Sequence, residues 1–111
     1  MMNTIETLIK EWKEMTEQLL RCEFIDVEEI KDLSRRTHKL MQEYSTKELV
    51  PKTMCELIQE MEWFSWWVAD AECTPMHGLY QELGDIVTAL VCLFYGPDEK
   101  YNDIEPFLDK L

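Results

Sequence analysis

The chain has 111 residues, of which 46% are apolar, and it carries a formal charge of −12 from 23 acidic and 11 basic residues. This length fits a single domain, and the charge argues against direct binding of nucleic-acid phosphates, which needs clustered Lys and Arg. The charge is compatible with a cation site, a partner with a basic surface, or simple solubility.

The sequence predicts neither a secretory signal peptide nor a membrane-spanning segment. The N-terminal stretch is amphipathic and acidic, unlike a secretory signal, and the longest apolar run, 86–95, is shorter than a membrane span. The four cysteines are far apart and form no C-x-x-C pair. We therefore expect reduced, mostly buried thiols in a cytoplasmic protein that does not contact membranes.

The first half of the chain has helical periodicity. Apolar residues at three- and four-residue steps predict a first helix over about residues 3–22. Asp26 is suited to cap a second helix over 27–44. Ser45 and Glu48 have the spacing of a capping box before a third helix.

The second half predicts two more helices. Pro51 fits the first turn of a helix over 51–72, and the Thr-Pro pair at 74–75 fits the start of another over 75–95. The Gly-Pro pair at 96–97 is typical of a helix end, and the tail allows only a short turn. The whole chain is thus predicted to be one all-α domain, an antiparallel four-helix bundle.

The third helix presents two different stripes of side chains at 100° per residue. The first is apolar and predicts the core face: Leu57, Met61, Phe64 and Val68. The second is rotated by about a quarter turn and mixes acids with large rings: Glu56, Glu60, Trp63, Trp67 and Asp70.

The fourth helix carries a further acidic pair. The run 86–95 has no charge, which predicts that it is enclosed on most sides, and Glu82 and Asp85 precede it on one face. Acids beside a buried segment are unfavourable unless a cation or a hydrogen-bond donor compensates them. Carboxylate oxygens suit Mg²⁺, so Glu82 and Asp85 together with Glu56 and Glu60 are a candidate metal site.

Plainer interpretations of the same residues stay open. Acidic pairs at this spacing are common in a chain with 23 acids and usually lie on solvated faces. The tryptophan stripe, taken alone, favours a core or a subunit interface over a ligand platform. His38 and His77 have no partner pattern, so packing or surface roles are expected for both.

The acidic motifs and the aromatic segment match a known pattern. "ELIQEMEWFSWW" followed by "ELGDIVTAL" resembles the all-α nucleoside triphosphate pyrophosphohydrolases, the MazG and dimeric dUTPase/dCTPase superfamily. The resemblance covers about residues 53–95. It implies Mg²⁺-dependent cleavage of a (deoxy)nucleoside triphosphate, perhaps dUTP or dCTP, to monophosphate and pyrophosphate.

The resemblance also implies roles for individual residues. Glu56, Glu82 and Asp85 would hold the metal, and Glu60 would orient a ligand or water or complete the cluster, which makes Glu56 and Glu60 the catalytic candidates. Members of the family are usually dimers or higher oligomers, so a homodimer or homotetramer is expected.

Substrate binding is implied for a second set of residues. The nucleotide base would stack on an aromatic ring, and the chain retains only one Lys and one Asn of the family's basic, Asn-containing region. The candidates are Trp63, Phe64, Trp67, Lys100 and Asn102.

Two positions depart from the family pattern and support an alternative function. Thr53 stands where the family has the first acid of its E-x-x-E pair, and Ser65 stands where a Lys is usual. The charge of −12, the missing acid at Thr53 and the aromatic run support the alternative of a catalytically inactive relative or an acidic helical inhibitor that binds a basic protein. A further alternative is that the tryptophans close a homodimer.

Overall fold

The computed structural model describes residues 3–96 and 99–111, and every regular element in those residues is a helix. The all-α prediction is therefore confirmed. Within the same residues, no helix combines the length and the apolar character that a membrane crossing requires. The elements are α1 (Thr4–Leu20), α2 (Val27–Tyr44), α3 (Thr53–Asp70), α4 (Tyr80–Tyr95) and α5 (Glu105–Leu108), with 3₁₀ turns at His77–Leu79 and Glu99–Tyr101.

Side-chain caps fix the starts of the first two helices. The Asn3 side chain accepts a hydrogen bond from the Glu6 backbone N–H at 2.9 Å, and Asp26 accepts one from the Glu28 N–H at 2.9 Å. Each cap satisfies one of the free N–H groups of a first turn. The prediction for α2 is confirmed at both ends, and α1 is shorter than predicted at its C-terminal end.

The boundaries of α3 differ from the prediction. The helix runs over Thr53–Asp70, and Lys52 precedes it without a side-chain cap. The Ser45 hydroxyl donates instead to the Gln42 carbonyl at 3.0 Å, inside the last turn of α2. The capping box predicted for Ser45 therefore does not form, because α3 begins only at Thr53 and Ser45 belongs to the end of α2.

The start of α4 was also predicted wrongly. Thr74 accepts a hydrogen bond from the Met76 N–H at 3.3 Å, but this interaction closes a turn and not the first turn of α4. A 3₁₀ turn follows, and α4 begins at Tyr80. The end of α4 at Tyr95 agrees with the prediction, while Pro97 lies outside the described residues.

α1 and α2 pack in opposite directions. In the middle of both helices the Trp12 indole N–H donates to the Thr37 hydroxyl at 3.1 Å. Thr4, the first residue of α1, and Glu43, near the end of α2, line one surface cavity. The start of α1 therefore lies beside the end of α2.

α1 and α3 run in the same direction. The buried rings of Trp12 and Phe64 meet edge to face at the middle of the two helices, with centroids 5.4 Å apart. Just beyond the C-terminal ends of both helices, Cys22 and Cys73 form a disulfide with a Cα–Cα distance of 5.7 Å. A shared midpoint and a shared C-terminal end together establish the parallel orientation.

α4 returns along α3 in the opposite direction and also packs against α2. The His77 ring nitrogen Nδ1 lies 3.0 Å from the Val68 carbonyl oxygen, near the end of α3. Farther along the chain, a Cβ placed on Gly84 would lie 3.5 Å from Ser65 Oγ, one turn earlier in α3. α4 therefore runs from the C-terminal end of α3 toward its N-terminal end, antiparallel to it.

The C-terminal segment is held against α2 by polar contacts. Arg35 donates two hydrogen bonds of 2.9 Å to the Glu105 carboxylate, and His38 Nε2 lies 2.8 Å from the Tyr101 carbonyl oxygen. The hydrogen bonds from Arg35 lower the pKa of Glu105 below its usual value. His38, for which a packing or a surface role was expected, is buried in this contact.

The cysteines depart from the prediction of reduced, buried thiols. Cys22 and Cys73 are exposed and disulfide-bonded, Cys55 is an exposed free thiol, and Cys92 is a half-buried one. The cytoplasmic prediction rested on four reduced cysteines. Disulfides persist in oxidising compartments, so the cysteines no longer support that prediction.

The disulfide closes a loop of 51 residues, which predicts a large effect of reduction. Loop-closure entropy gives about 4 kcal/mol of stability, so reduction or Cys22→Ser should lower the melting temperature by roughly 10–20 °C. Circular dichroism on heating measures this change. Cys55→Ser is the matched control and should melt like the parent, whereas equal melting of oxidised and reduced protein would contradict the pairing.

A buried hydroxyl without a partner gives a second stability prediction. Among the described residues, Ser34 Oγ is buried without a hydrogen-bond partner, whereas the buried Thr37 hydroxyl both accepts from Trp12 and donates to the Leu33 carbonyl. Ser34→Ala should raise the free energy of unfolding by about 1 kcal/mol, and Thr37→Val should lower it by about 1–3 kcal/mol. Urea denaturation distinguishes them, and a loss of stability in Ser34→Ala would show that its hydroxyl is satisfied.

Candidate functional site

The two predicted stripes of α3 lie on separate faces of the helix. The core stripe is buried throughout: Leu57, Met61, Phe64 and Val68. The opposite side is largely exposed and is named here the tryptophan face, which consists of Glu56, Gln59, Trp63, Trp66, Trp67 and Asp70. These six residues fall within about 100° of arc on the helix.

Three indole rings form the centre of the tryptophan face. Trp63 stacks on Trp67 with centroids 6.1 Å apart, and Trp66 meets both edge to face at 5.6 and 4.8 Å. Trp63 is 44% exposed and Trp66 is 51% exposed, while Trp67 is half-buried against the core. Sequence reasoning missed Trp66, although its place within the aromatic run was a usable signal.

Phe64 does not belong to this cluster. It was predicted both as core and as a residue that stacks on a base, and it is 1% exposed and packed against Trp12. Its core role is confirmed, and it has no free face to offer a base.

Carboxylates surround the indole rings. Glu56, Glu62 and Asp70 are exposed, and no Lys or Arg among residues 3–96 and 99–111 lies within ion-pair distance of them. Glu60 points toward α1 instead, where its carboxylate lies 4.0 Å from Lys13 Nζ. The face therefore combines large apolar rings with uncompensated negative charge.

The two acids of α3 that were predicted as metal ligands point away from α4. Ser65 marks the side of α3 that contacts Gly84. Glu56 precedes Ser65 by nine residues, which places it about 180° around the helix and about 13 Å along it. Glu60 lies about 140° from Ser65, on the side of α1.

The four predicted metal ligands are consequently not brought together. Glu82 is half-buried and Asp85 is exposed on α4, while Glu56 and Glu60 lie on the far side of α3. In the part of the chain that the structure describes, no three His, Cys, Asp or Glu side chains are close enough to hold a metal ion. This arrangement does not fit a Mg²⁺ site.

The remaining substrate candidates lie elsewhere on the molecule. Lys100 Nζ lies 4.9 Å from the centre of the Tyr101 ring, and the Asn102 carbonyl accepts a hydrogen bond from Gln42 at 3.3 Å. Both residues are in the segment that packs on α2, whereas the tryptophan face is on the outer side of α3. They do not share a site with the indole rings.

A groove of about 520 Å³ lies between α3 and α4, at the edge of the tryptophan face. Its walls are mostly apolar, and only one of its residues is charged. The lining residues are Glu62, Ser65, Trp66, Ala69, Val87, Thr88, Val91 and Cys92.

Comparison of the chain with protein-family models, with curated proteins and with solved structures found no match. The resemblance to pyrophosphohydrolases therefore depends on the motif residues of the sequence alone.

Proposed function

We propose that this protein is an acidic binding module that docks on a basic protein surface through the tryptophan face. The observation that carries the proposal is the cluster of Trp63, Trp66 and Trp67 beside carboxylates that have no basic partner among the described residues. In this proposal the four long helices form a bundle that holds α3 rigid.

The chemistry of the tryptophan face favours Arg and Lys side chains as ligands. A guanidinium that lies flat on an exposed indole gains about 0.5–2 kcal/mol, depending on how far it is desolvated. Glu56 and Asp70, which flank the rings, can pair with the same or neighbouring cations. Tryptophan is also the residue type most often responsible for binding energy at interfaces.

The overall charge supports the same kind of partner. A net charge of −12 accelerates the approach of a basic surface and disfavours acidic ones. The electrostatic part of such binding weakens as salt rises, because exposed charges are screened within about 8 Å at physiological ionic strength.

Binding of a basic peptide tests this function directly. An Arg-rich peptide should bind the parent protein and change its tryptophan fluorescence, and Trp63→Ala should weaken binding about tenfold or more. Raising the salt concentration should weaken binding to the parent as well. Isothermal titration calorimetry measures both effects.

The controls of this experiment distinguish binding at the tryptophan face from nonspecific attraction to an acidic protein. Leu49 is 88% exposed and lies outside α3, so Leu49→Ala should bind like the parent. A Glu-rich peptide should not bind. Equal affinity of the Trp63→Ala variant and the parent for the Arg-rich peptide would exclude the tryptophan face as the docking site.

A second candidate function is Mg²⁺-dependent nucleotide pyrophosphohydrolysis, with dUTP or dCTP as substrates. It is supported by the two acidic motifs and by the exposure of Trp63, which leaves a ring face free for a base. Because the four carboxylates lie apart, this function requires a rearrangement of α3 against α4 or donors from another copy.

Pyrophosphate release tests the second candidate. If the chain is such an enzyme, micromolar protein with Mg²⁺ should release pyrophosphate from at least one of the deoxynucleoside triphosphates, and the Glu82→Ala, Asp85→Ala double variant should not. We expect no release and no effect of Mg²⁺ on the melting temperature, because the ligands are not assembled. Release that depends on Glu82 and Asp85 would favour the enzyme over the binding module.

A further inference from the structure

From residue 86 onward, the outer side of α4 is partly exposed and yet carries no charge. From Ile86 to Tyr95 the sequence has no Asp, Glu, Lys or Arg, although such residues make up 31% of the chain. In the part of the chain that the structure describes, five of the ten residues of this run are buried, but Thr88 is exposed and Tyr95 is 72% exposed. The outward residues Thr88, Val91, Cys92 and Tyr95 are named here the α4 strip.

The α4 strip continues into the groove between α3 and α4. Ser65 and Ala69 on α3, together with Thr88 on α4, are small, so the groove is open to a side chain from outside. Its volume of about 520 Å³ exceeds that of any single side chain. The surface therefore has a ridge at Tyr95 and, next to it, a hollow.

We propose that a second copy of this chain packs on the α4 strip, with the two α4 helices antiparallel about a two-fold axis beside Val91. A symmetric interface places each surface against itself, so on a surface whose charges are all acidic each carboxylate meets another carboxylate nearby. For a chain of net charge −12, such contact is least unfavourable where charges are missing. The α4 strip meets this condition, and Glu62 and Asp85 lie at its margins.

The register of the proposed contact follows from the helix geometry. Val91 is the outward residue closest to the midpoint of the uncharged run, which makes it the natural position for the axis. Tyr95 lies four residues beyond Val91, so Tyr95 of one copy comes level with Val87 of the other. Val87 lines the groove, and the exposed ring therefore enters the hollow of the facing copy.

A basic partner is a poorer occupant of the same surface. It would gain no ion pairs on the strip itself, whereas the tryptophan face offers carboxylates beside its rings. The core of that face is on the opposite side of α3 from Gly84, so a dimer leaves Trp63 accessible. The inference therefore does not rest on the proposed function, and each can fail without the other.

Sedimentation velocity on the full chain with its disulfide intact tests the proposal. At roughly 100 µM the parent should sediment as a dimer, with twice the monomer mass of 13.3 kDa. Val91→Glu should raise the dimer dissociation constant about tenfold or more, because it places two carboxylates at the axis. Tyr95→Ser should weaken the dimer as well. Because Tyr95 is exposed, this variant should fold normally and tests the interface even if Val91→Glu misfolds.

Cross-linking of the two free thiols determines which face forms the contact. A short bismaleimide should join two copies through Cys92, so the dimer band should persist in Cys55→Ser and disappear in Cys92→Ser. Trp63→Ala is the matched control in sedimentation and should dimerise like the parent. A monomeric parent, a dimer that Val91→Glu leaves unchanged, or a cross-link that survives Cys92→Ser would each overturn the proposal.

Discussion

The arrangement of the first three helices depends on one buried side chain, Trp12. Its ring packs edge to face on Phe64 of α3, and its indole N–H donates to Thr37 of α2. An indole without a partner for its N–H would be costly in this position, because the residue is 1% exposed. One side chain thus sets the distance of α1 from both neighbours and fixes which face of α3 turns inward.

The rotation of α3 follows from the same contact and accounts for the tryptophan face. With Phe64 directed at Trp12, Trp67 lies about 60° away around the helix, Trp63 about 100° and Trp66 about 160°. Their exposure follows this order, since Trp67 is half-buried, Trp63 is 44% exposed and Trp66 is 51% exposed. The surface cluster is therefore a consequence of how the core is packed.

Helical periodicity predicts which residues share a face but not which neighbour the face meets. The core stripe of α3 and both ends of α2 were predictable for this reason, since each depends on residues close in sequence. The prediction of a metal site failed, because it required the acidic stripe of α3 to face α4. Ser65 lies on that side of α3 instead. The Cys22–Cys73 pair was hidden for a similar reason, since it requires α1 and α3 to be parallel neighbours.

The distribution of charge over the surface separates two kinds of contact. Glu56 and Asp70 beside the indole rings make the tryptophan face repel a second copy, because all charges on both facing surfaces would be negative. The same acids favour a basic partner, so one feature selects against self-association and for a foreign ligand. The uncharged α4 strip neither repels a second copy nor attracts a basic partner. The shape of the strip therefore determines which molecule packs on it. Because Trp66 borders both surfaces, the two contacts meet at one residue, and a ligand on one of them would alter the environment of the other.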